Sequence, residues 1–333
     1  MIQKRNNKLA PSALAIATAL GSSLFFAQVH AADVELSGVV EVEAGLTKAE
    51  DNTESDAALA TVEIGIDGTV AEGVDVHVLL LHEEDDTALE IDEGTITLSN
   101  LVGPLNLTAG QMYVPFGNFE SNMISDPLTL EVGETRESVL SLGYDAHGVY
   151  GSLFMFNGNS ESSNDNSSDF GLNVGYTTDT FDVGFSYISK FAETDTMEGT
   201  LTSVDDNSPA AFGVHAIVNM GSIQIIGEYI SAAGEFDTVE LAFDGEGATP
   251  SAYNAEVGFT TVLMGKETTI AASYQGTMQA AGIELAENRM ILGVSSALNE
   301  NTSLSLEFMN ESDVEGGSGD AINIVTAQIA VGF

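Results

Sequence analysis

Apart from one stretch, the chain alternates apolar and polar side chains from residue 34 to its end, and this period of two leaves few folds open. Successive side chains of a β-strand point to opposite faces, so alternation marks a sheet lying between two unlike environments. Val34, Leu36, Val40, Val42, Ala44 and Leu46 share one face, with Glu35, Ser37, Glu41 and Glu43 on the other. Val62, Ile64, Ile66 and Val70 oppose Glu63, Asp67 and Thr69 in the same way. The pattern predicts sixteen strands, near 34–46, 58–70, 74–82, 89–98, 104–112, 138–145, 149–157, 170–177, 181–190, 211–218, 223–231, 252–262, 268–275, 288–297, 302–310 and 321–333.

The connections are as informative as the strands. Every second one is short: "AEG" at 71, "SNLVG" at 99, "AHG" at 146, "TTD" at 178, "NMGS" at 219, "VLMGKE" at 262 and "LNEN" at 298. Those between are mostly long and polar, such as "KAEDNTESDA" and "NGNSESSNDNSSD". One rim of the sheet is therefore trimmed and the other elaborated, an asymmetry shared with outer-membrane barrels. An even strand count lets the first and last strands pair and leave no open edge in lipid. The fold class expected is all-β, a closed antiparallel transmembrane β-barrel of about sixteen strands; a soluble sandwich would not need the short-long rule. A final alternating strand closing on Phe333 reads as an outer-membrane assembly signal, and so implies the barrel assembly machinery as a partner. Barrels of this kind carry aromatic girdles, and with no Trp that role falls to Phe154, Phe156, Phe181, Tyr187, Phe191, Tyr229 and Tyr253.

Residues 1–31 read as a cleaved signal peptide: Lys4, Arg5 and Lys8 precede an apolar run from Leu9 to Phe26, and Val29 and Ala31 suit a cleavage site. A membrane anchor is the rival reading. The barrel is then residues 32–333, placed in the bacterial outer membrane with lipid and lipopolysaccharide as neighbours. Removing the leader leaves five basic residues against 51 acidic ones, a formal charge of about −46. Such a chain repels phosphate backbones, which argues against nucleic-acid binding. The absence of cysteine excludes disulfides and thiolate chemistry. Mean hydropathy is nevertheless +0.12, too apolar for disorder.

The exception to the alternation is "GQMYVPFGNFESNMISDPLTLEVGETRES", residues 110–138, which holds two of the six prolines. Met112, Tyr113, Val114, Phe116, Phe119, Met123, Ile124, Leu128, Leu130 and Val132 are too apolar to remain in water. Sixteen strands enclose a water-filled lumen. The segment 113–137 is accordingly expected to fold inward as a constriction loop, an external cap being the alternative. Its candidate ligand or constriction residues are Tyr113, Pro115, Phe116, Asn118, Phe119, Asn122, Asp126, Pro127, Glu134 and Arg136. Arg136, the loop's one positive side chain, either receives an anionic ligand or holds the loop base to the wall by an ion pair. Glu41, Glu43, Glu63, Asp67 and Glu228 are expected as pore-wall charges that make the lumen cation-preferring.

This stretch closely resembles the corresponding part of the LbtU-type siderophore porins, and "GPLNLTAG" and the terminal "AVGF" suit that family too. The resemblance is sharp over roughly 95–145 and elsewhere amounts to barrel character. It implies a plugless outer-membrane barrel taking up ferric siderophores, and the lack of a plug-sized domain before the first strand agrees. A cation-selective diffusion porin without a dedicated ligand, passing small cations, and a non-conducting surface-binding barrel are the alternatives. Porins of this size are often trimers, so a homotrimer is an open expectation, though no stretch marks a subunit interface.

No cofactor is expected. "LHEEDD" at 81–86 and "NDNSSD" at 164–169 offer oxygen ligands for surface-bound Ca or Mg ions that could bridge to lipopolysaccharide, but neither has EF-hand spacing. His77, His82, His147 and His215 show no spacing that singles out a nucleophile, so no enzymatic activity is expected.

Overall fold

In a computed structural model, the described residues are 33–49, 52–84, 87–158, 169–201 and 208–333. Sixteen antiparallel strands, numbered here in chain order, form a closed barrel. They are β1 Asp33–Ala49, β2 Asn52–Ala71, β3 Val74–Glu83, β4 Thr87–Leu98, β5 Leu105–Tyr113, β6 Arg136–Ala146, β7 Val149–Phe156 and β8 Asp169–Thr177. The second half is β9 Phe181–Ile188, β10 Ala211–Met220, β11 Ile223–Ala232, β12 Ser251–Leu263, β13 Lys266–Met278, β14 Asn288–Asn299, β15 Thr302–Glu311 and β16 Ile322–Gly332. The predicted signal peptide lies outside the described residues.

Each strand pairs with its neighbour in sequence, and β16 closes on β1 from Val39↔Gly332 to Lys48↔Asn323. Gly38 and Phe333 extend this seam by exchanging two backbone hydrogen bonds of 3.0 Å. Glycine suits position 38, because a Cβ there would lie 2.7 Å from the Glu63 carbonyl oxygen and 2.5 Å from Phe333 Cζ. Closure matters because an unpaired edge cannot be satisfied in hydrocarbon.

The side chains are distributed inside out relative to a soluble protein. Leu36 and Leu153 are more than 60% exposed, and Leu140, Val257, Phe259, Leu304 and Leu306 are exposed beside them on the outer face. Ser141, Ser186, Glu228, Asn254, Glu256, Gln275 and Glu307 are buried on the inner one. That inversion is what a lipid-facing barrel requires and what a sandwich forbids. Among the described residues no helix is long and apolar enough to cross a membrane.

The seven short connections fall where the sequence puts them. Two of them, His147–Gly148 and Met264–Gly265, have positive φ at both residues, the backbone of tight primed hairpin turns. The long side differs from expectation at "KAEDNTESDA". There β1 and β2 stay paired out to Ala49↔Asn52 and form a tall hairpin. Backbone pairing continues in water after the apolar signal stops, so the strands outlast the pattern that reveals them.

Four of the other long connections, after β5, β9, β11 and β13, contribute to an apolar core at the elaborated mouth. Val114, Phe116, Leu128 and Val132 meet Phe191 and Met197, Phe236 and Leu241, and Ile283 and Leu285, all against inner-wall residues such as Phe154, Phe156, Ile188 and Ile230. Phe191 stands 6.3 Å from Phe116 and 6.4 Å from Phe236, ring centre to ring centre. This corrects the girdle expectation for Phe154, Phe156 and Phe191, which are at most 3% exposed and face inward. Phe181, Tyr229 and Tyr253 do sit on the outer face, paired with Tyr176, Phe212 and Tyr274 at 5.8–6.1 Å. Inward and outward positions differ by one residue, and only strand register resolves them.

Candidate functional site

The segment between β5 and β6 contains little regular structure beyond one helical turn, Leu128–Gly133. Its base is tied by Val114 N–H to the Thr135 carbonyl at 2.9 Å. An irregular backbone leaves its N–H groups without ladder partners, and buried donors must find acceptors elsewhere. Here the inner wall supplies them. Gly117 N–H donates to Ser186 Oγ on β9 at 3.0 Å. Asn118 and Phe119 N–H donate to the two oxygens of Glu228 on β11 at 2.6 and 3.1 Å, and Thr129 Oγ1 adds a third bond at 2.8 Å.

The series continues around the wall. Glu256 on β12 accepts from Asn122 N–H, Asn122 Nδ2 and Ser121 Oγ at 2.7–2.8 Å. Gln275 on β13 accepts from Leu128 N–H at 3.0 Å. Glu307 on β15 accepts from Ile124 N–H at 2.6 Å and from Ser125 Oγ. Arg289 of β14, 3% exposed, donates to the Asp126 carbonyl at 3.0 Å and to Glu131 and Glu311 at 2.7 and 2.8 Å. The segment thus lies along the inner face of β9–β15, and three wall carboxylates and one arginine hold it there.

These contacts sort the residues expected at the site. Phe116 and Pro127 pack or turn the chain, Phe116 at 1% exposure within the mouth core. Asn118, Phe119, Asn122 and Asp126 bond to the wall, as above. Pro115 and Tyr113 lie at the base, where the Tyr113 hydroxyl reaches Asp92 Oδ1 at 3.3 Å. Arg136 pairs with Glu90 at 3.1 Å and with Asp92, and its N–H donates to Asp195 Oδ1 at 3.1 Å. Its guanidinium therefore joins loop base to wall.

Two wall-charge assignments need correction. Glu228 is 6% exposed because the segment covers it, so it serves as an anchor and presents no open charge to the lumen. Glu41 is 0% exposed. Glu43 and Glu63 are half-buried, Glu43 accepting from Gln328 Nε2 at 2.9 Å, and Asp67 is exposed beside His77 Nδ1 at 2.8 Å. Glu256, Glu307, Gln275 and Arg289 are site residues that sequence reasoning missed.

Outside the strands, burial raises three loop carboxyls. Glu134 is pushed up to about 8 by burial, then by Asp195, Glu83 and Asp92, with Arg136 partly offsetting them. Asp195 is pushed up to about 6 by burial, against the opposing N–H and charge of Arg136. Burial with Glu256 and Asp182 nearby raises Glu120. The carboxylates of Glu137, Glu193 and Glu198 come within 4.8 Å of one another, a donor set that suits a hard cation. Of the two acidic motifs, "NDNSSD" lies outside the described residues except Asp169, which pairs with Lys190 at 3.4 Å. "LHEEDD" is described only to Glu84.

A closed sixteen-strand barrel, apolar outside, polar inside and carrying an inner-wall segment, has the architecture of an outer-membrane β-barrel protein. The chain belongs to the Gram-negative porin family, whose model matches residues 13–315. It is 26% identical to a UPF0422 protein of Legionella pneumophila (strain Philadelphia 1) over 85% of this chain and 62% of that protein. The chain thus spans about 62% of the length of the curated relatives of that kind. Its fold is similar to an anion-selective porin from Comamonas acidovorans, with a TM-score of 0.62, 14% identity, and 91% and 100% of the two chains covered. It is also similar to the trimer form of OmpT from Vibrio cholerae, with a TM-score of 0.57, 14% identity, and 91% and 100% covered.

Proposed function

We propose that this porin is a narrowed channel preferring cations and neutral solutes, with the segment 113–137 as its constriction. The supporting observation is an imbalance of fixed charge on the inner side of β1–β4. Glu43, Glu63, Asp67, Glu83, Glu90, Asp92 and Glu93 gather there, and Arg136 is the guanidinium that meets them. The remaining described cations are engaged elsewhere: Arg289 with Glu131 and Glu311, Lys190 with Asp169, and Lys48 and Lys266 at the rims. A cleft lined by one sign of charge between low-dielectric walls concentrates counter-ions and repels co-ions. The likeness to an anion-selective porin, at 14% identity, is one of fold, and the fold does not fix the wall side chains on which selectivity depends.

The test is the zero-current potential of the purified protein in a planar bilayer under a KCl gradient. A potential of the sign set by K⁺ supports the reading, and one set by Cl⁻ overturns it. A second reading, ferric-siderophore uptake, is favoured by the resemblance of residues 110–138 to siderophore porins, since that same stretch lines the proposed constriction. With this wall the cargo would be a neutral or cationic ferric complex. Saturable block of K⁺ current by such a complex supports it, and unblocked ohmic current leaves a general diffusion channel. A homotrimer is proposed from the trimeric relative, and cross-linking in detergent tests it.

A further inference from the structure

The inner side of β7–β10 carries a cluster that the anchoring of the loop does not use. Asp182 Oδ1 accepts from the Tyr150 hydroxyl at 2.8 Å and lies 2.8 Å from His215 Nε2. Two glycines on the same face clear the space for these rings. A Cβ at Gly175 would lie 2.1 Å from the Tyr150 ring, and one at Gly184 would lie 2.3 Å from His215 Cε1. Together with Asn173, Ser186 and Asn118 of the loop, these side chains border a cavity of about 160 Å³ between loop and wall. Tyr150 and Asp182 each sit one residue inside their strand from a short turn, so the cavity lies on the trimmed, short-turn side of the loop.

Its fixed charge is one-sided. The Gly117 N–H is already committed to Ser186 and the Asn118 N–H to Glu228. The Tyr150 hydroxyl is committed to Asp182, and the His215 ring is directed at the same oxygen. Among the described residues Asp182 Oδ2 accepts no hydrogen bond, and no Lys or Arg borders the cavity. Glu120 interacts electrostatically with Asp182, and Glu228 with His215, so further negative charge stands behind the lining. An anion would meet carboxylates, with only the neutral N–H and O–H groups of Asn118, Asn173 and Ser186 to offset them. A cation carrying its own N–H groups would meet a carboxylate oxygen together with hydroxyl and amide oxygens.

We propose that this cavity, bordered by Tyr150, Asp182 and His215 beneath the loop, is a binding station for a small primary ammonium cation. Asp182 supplies the charge, and the remaining N–H groups go to the second lone pairs of Ser186 Oγ, which accepts from Gly117 N–H, and of Asn173 Oδ1, which accepts from Ser152 Oγ at 2.7 Å. A solute of this class crossing the channel pauses there, which gives saturable transport in place of simple diffusion. The proposal rests on the cation-preferring reading, and the KCl-gradient potential tests that reading separately.

The experiment measures K⁺ current through the purified full chain in planar bilayers with n-butylammonium or tetramethylammonium added on the short-turn side. Butylammonium is expected to reduce the current saturably. Tetramethylammonium has the same charge without N–H donors and should need at least about ten times the concentration for half-block. Asp182→Asn should raise the half-blocking concentration of butylammonium about tenfold, while Glu267→Gln, an exposed carboxylate on the same rim, leaves it unaltered. Folding of each variant is checked by heat-modifiable migration. If Asp182→Asn does not fold, the comparison of the two cations on the unaltered protein decides. Equal block by both cations, or a half-blocking concentration unmoved in folded Asp182→Asn, overturns the binding station. A K⁺-signed potential in the same protein would then leave the channel reading intact.

Discussion

Replacing Glu256 by alanine isolates the principle that holds the inner-wall segment in place. The carboxylate is 3% exposed and accepts three hydrogen bonds of 2.7–2.8 Å from Ser121 and Asn122. Bonds to a charged acceptor contribute about 1.5–3 kcal/mol each. The loss is not threefold, because Asn122 Nδ2 keeps a second acceptor in Gln224 Oε1 at 2.8 Å and lumen water can reach a freed Ser121 hydroxyl. The Asn122 N–H remains as the main deficit, about 3 kcal/mol at the upper end of that range, for local opening of the loop tip. At 1.4 kcal/mol per factor of ten this is roughly a hundredfold increase in the open population. Global stability should change little, since Glu228, Gln275, Glu307 and Arg289 still hold the rest of the segment. Hydrogen exchange of a peptide covering 118–125, followed by mass spectrometry in detergent, should quicken by that factor, with larger current fluctuations in bilayers. Exchange within twofold of the unaltered protein, in a barrel shown to be folded, would refute the view that wall carboxylates hold the loop.

Three other outcomes follow from the same structure. Arg289→Ala leaves Glu131, Glu311 and the Asp126 carbonyl facing one another in a buried site and should lower stability by about 3–5 kcal/mol, read as a drop in the temperature of heat-modifiable unfolding; Arg289→Lys should rescue little, because one ammonium cannot replace the fork. Gly38→Val places a side chain against Phe333 at the closing seam and should markedly slow folding into lipid vesicles, whereas Gly199→Val, with open space around it, should not. For pH, Glu134 titrates in the folded protein near 8, above its ordinary 4.5, so its contribution is full below about 4.5 and is lost as pH rises through 8. Asp195 behaves likewise between 3.8 and about 6. Loop-base hydrogen exchange should therefore quicken between about pH 4.5 and 8 beyond the intrinsic rate, and Glu134→Gln should remove most of that rise.

The fold was legible because its signals are local. Alternation in Val34–Leu46 or Phe181–Tyr187 needs only neighbouring residues, and turns such as His147–Gly148 announce themselves by residue type. The irregular stretch at 110–138 was legible as an exception for the same reason. Its anchors were not. Asn122 and Glu256 are 134 positions apart and Ile124 and Glu307 183, and an inward glutamate has the same spacing whether water or a loop N–H covers it. The apolar mouth core was equally hidden. Phe154 and Phe156 alternate like any strand residues, and Phe191, Met197, Phe236 and Leu241 lie in connections that read as polar loops.

What the residues alone determined, then, was a sixteen-strand barrel with one trimmed rim, because strand periodicity and tight-turn geometry are set within a few positions of the chain. The tertiary structure decided which of its acids face the open interior of the barrel and which are covered, turning Glu228, Glu256 and Glu307 into acceptors for the loop's backbone while leaving Asp67 in solvent. The physical reason is that solvation belongs to a place in the folded molecule: a carboxylate's role depends on what covers it, and here the covering chain arrives from more than a hundred residues away.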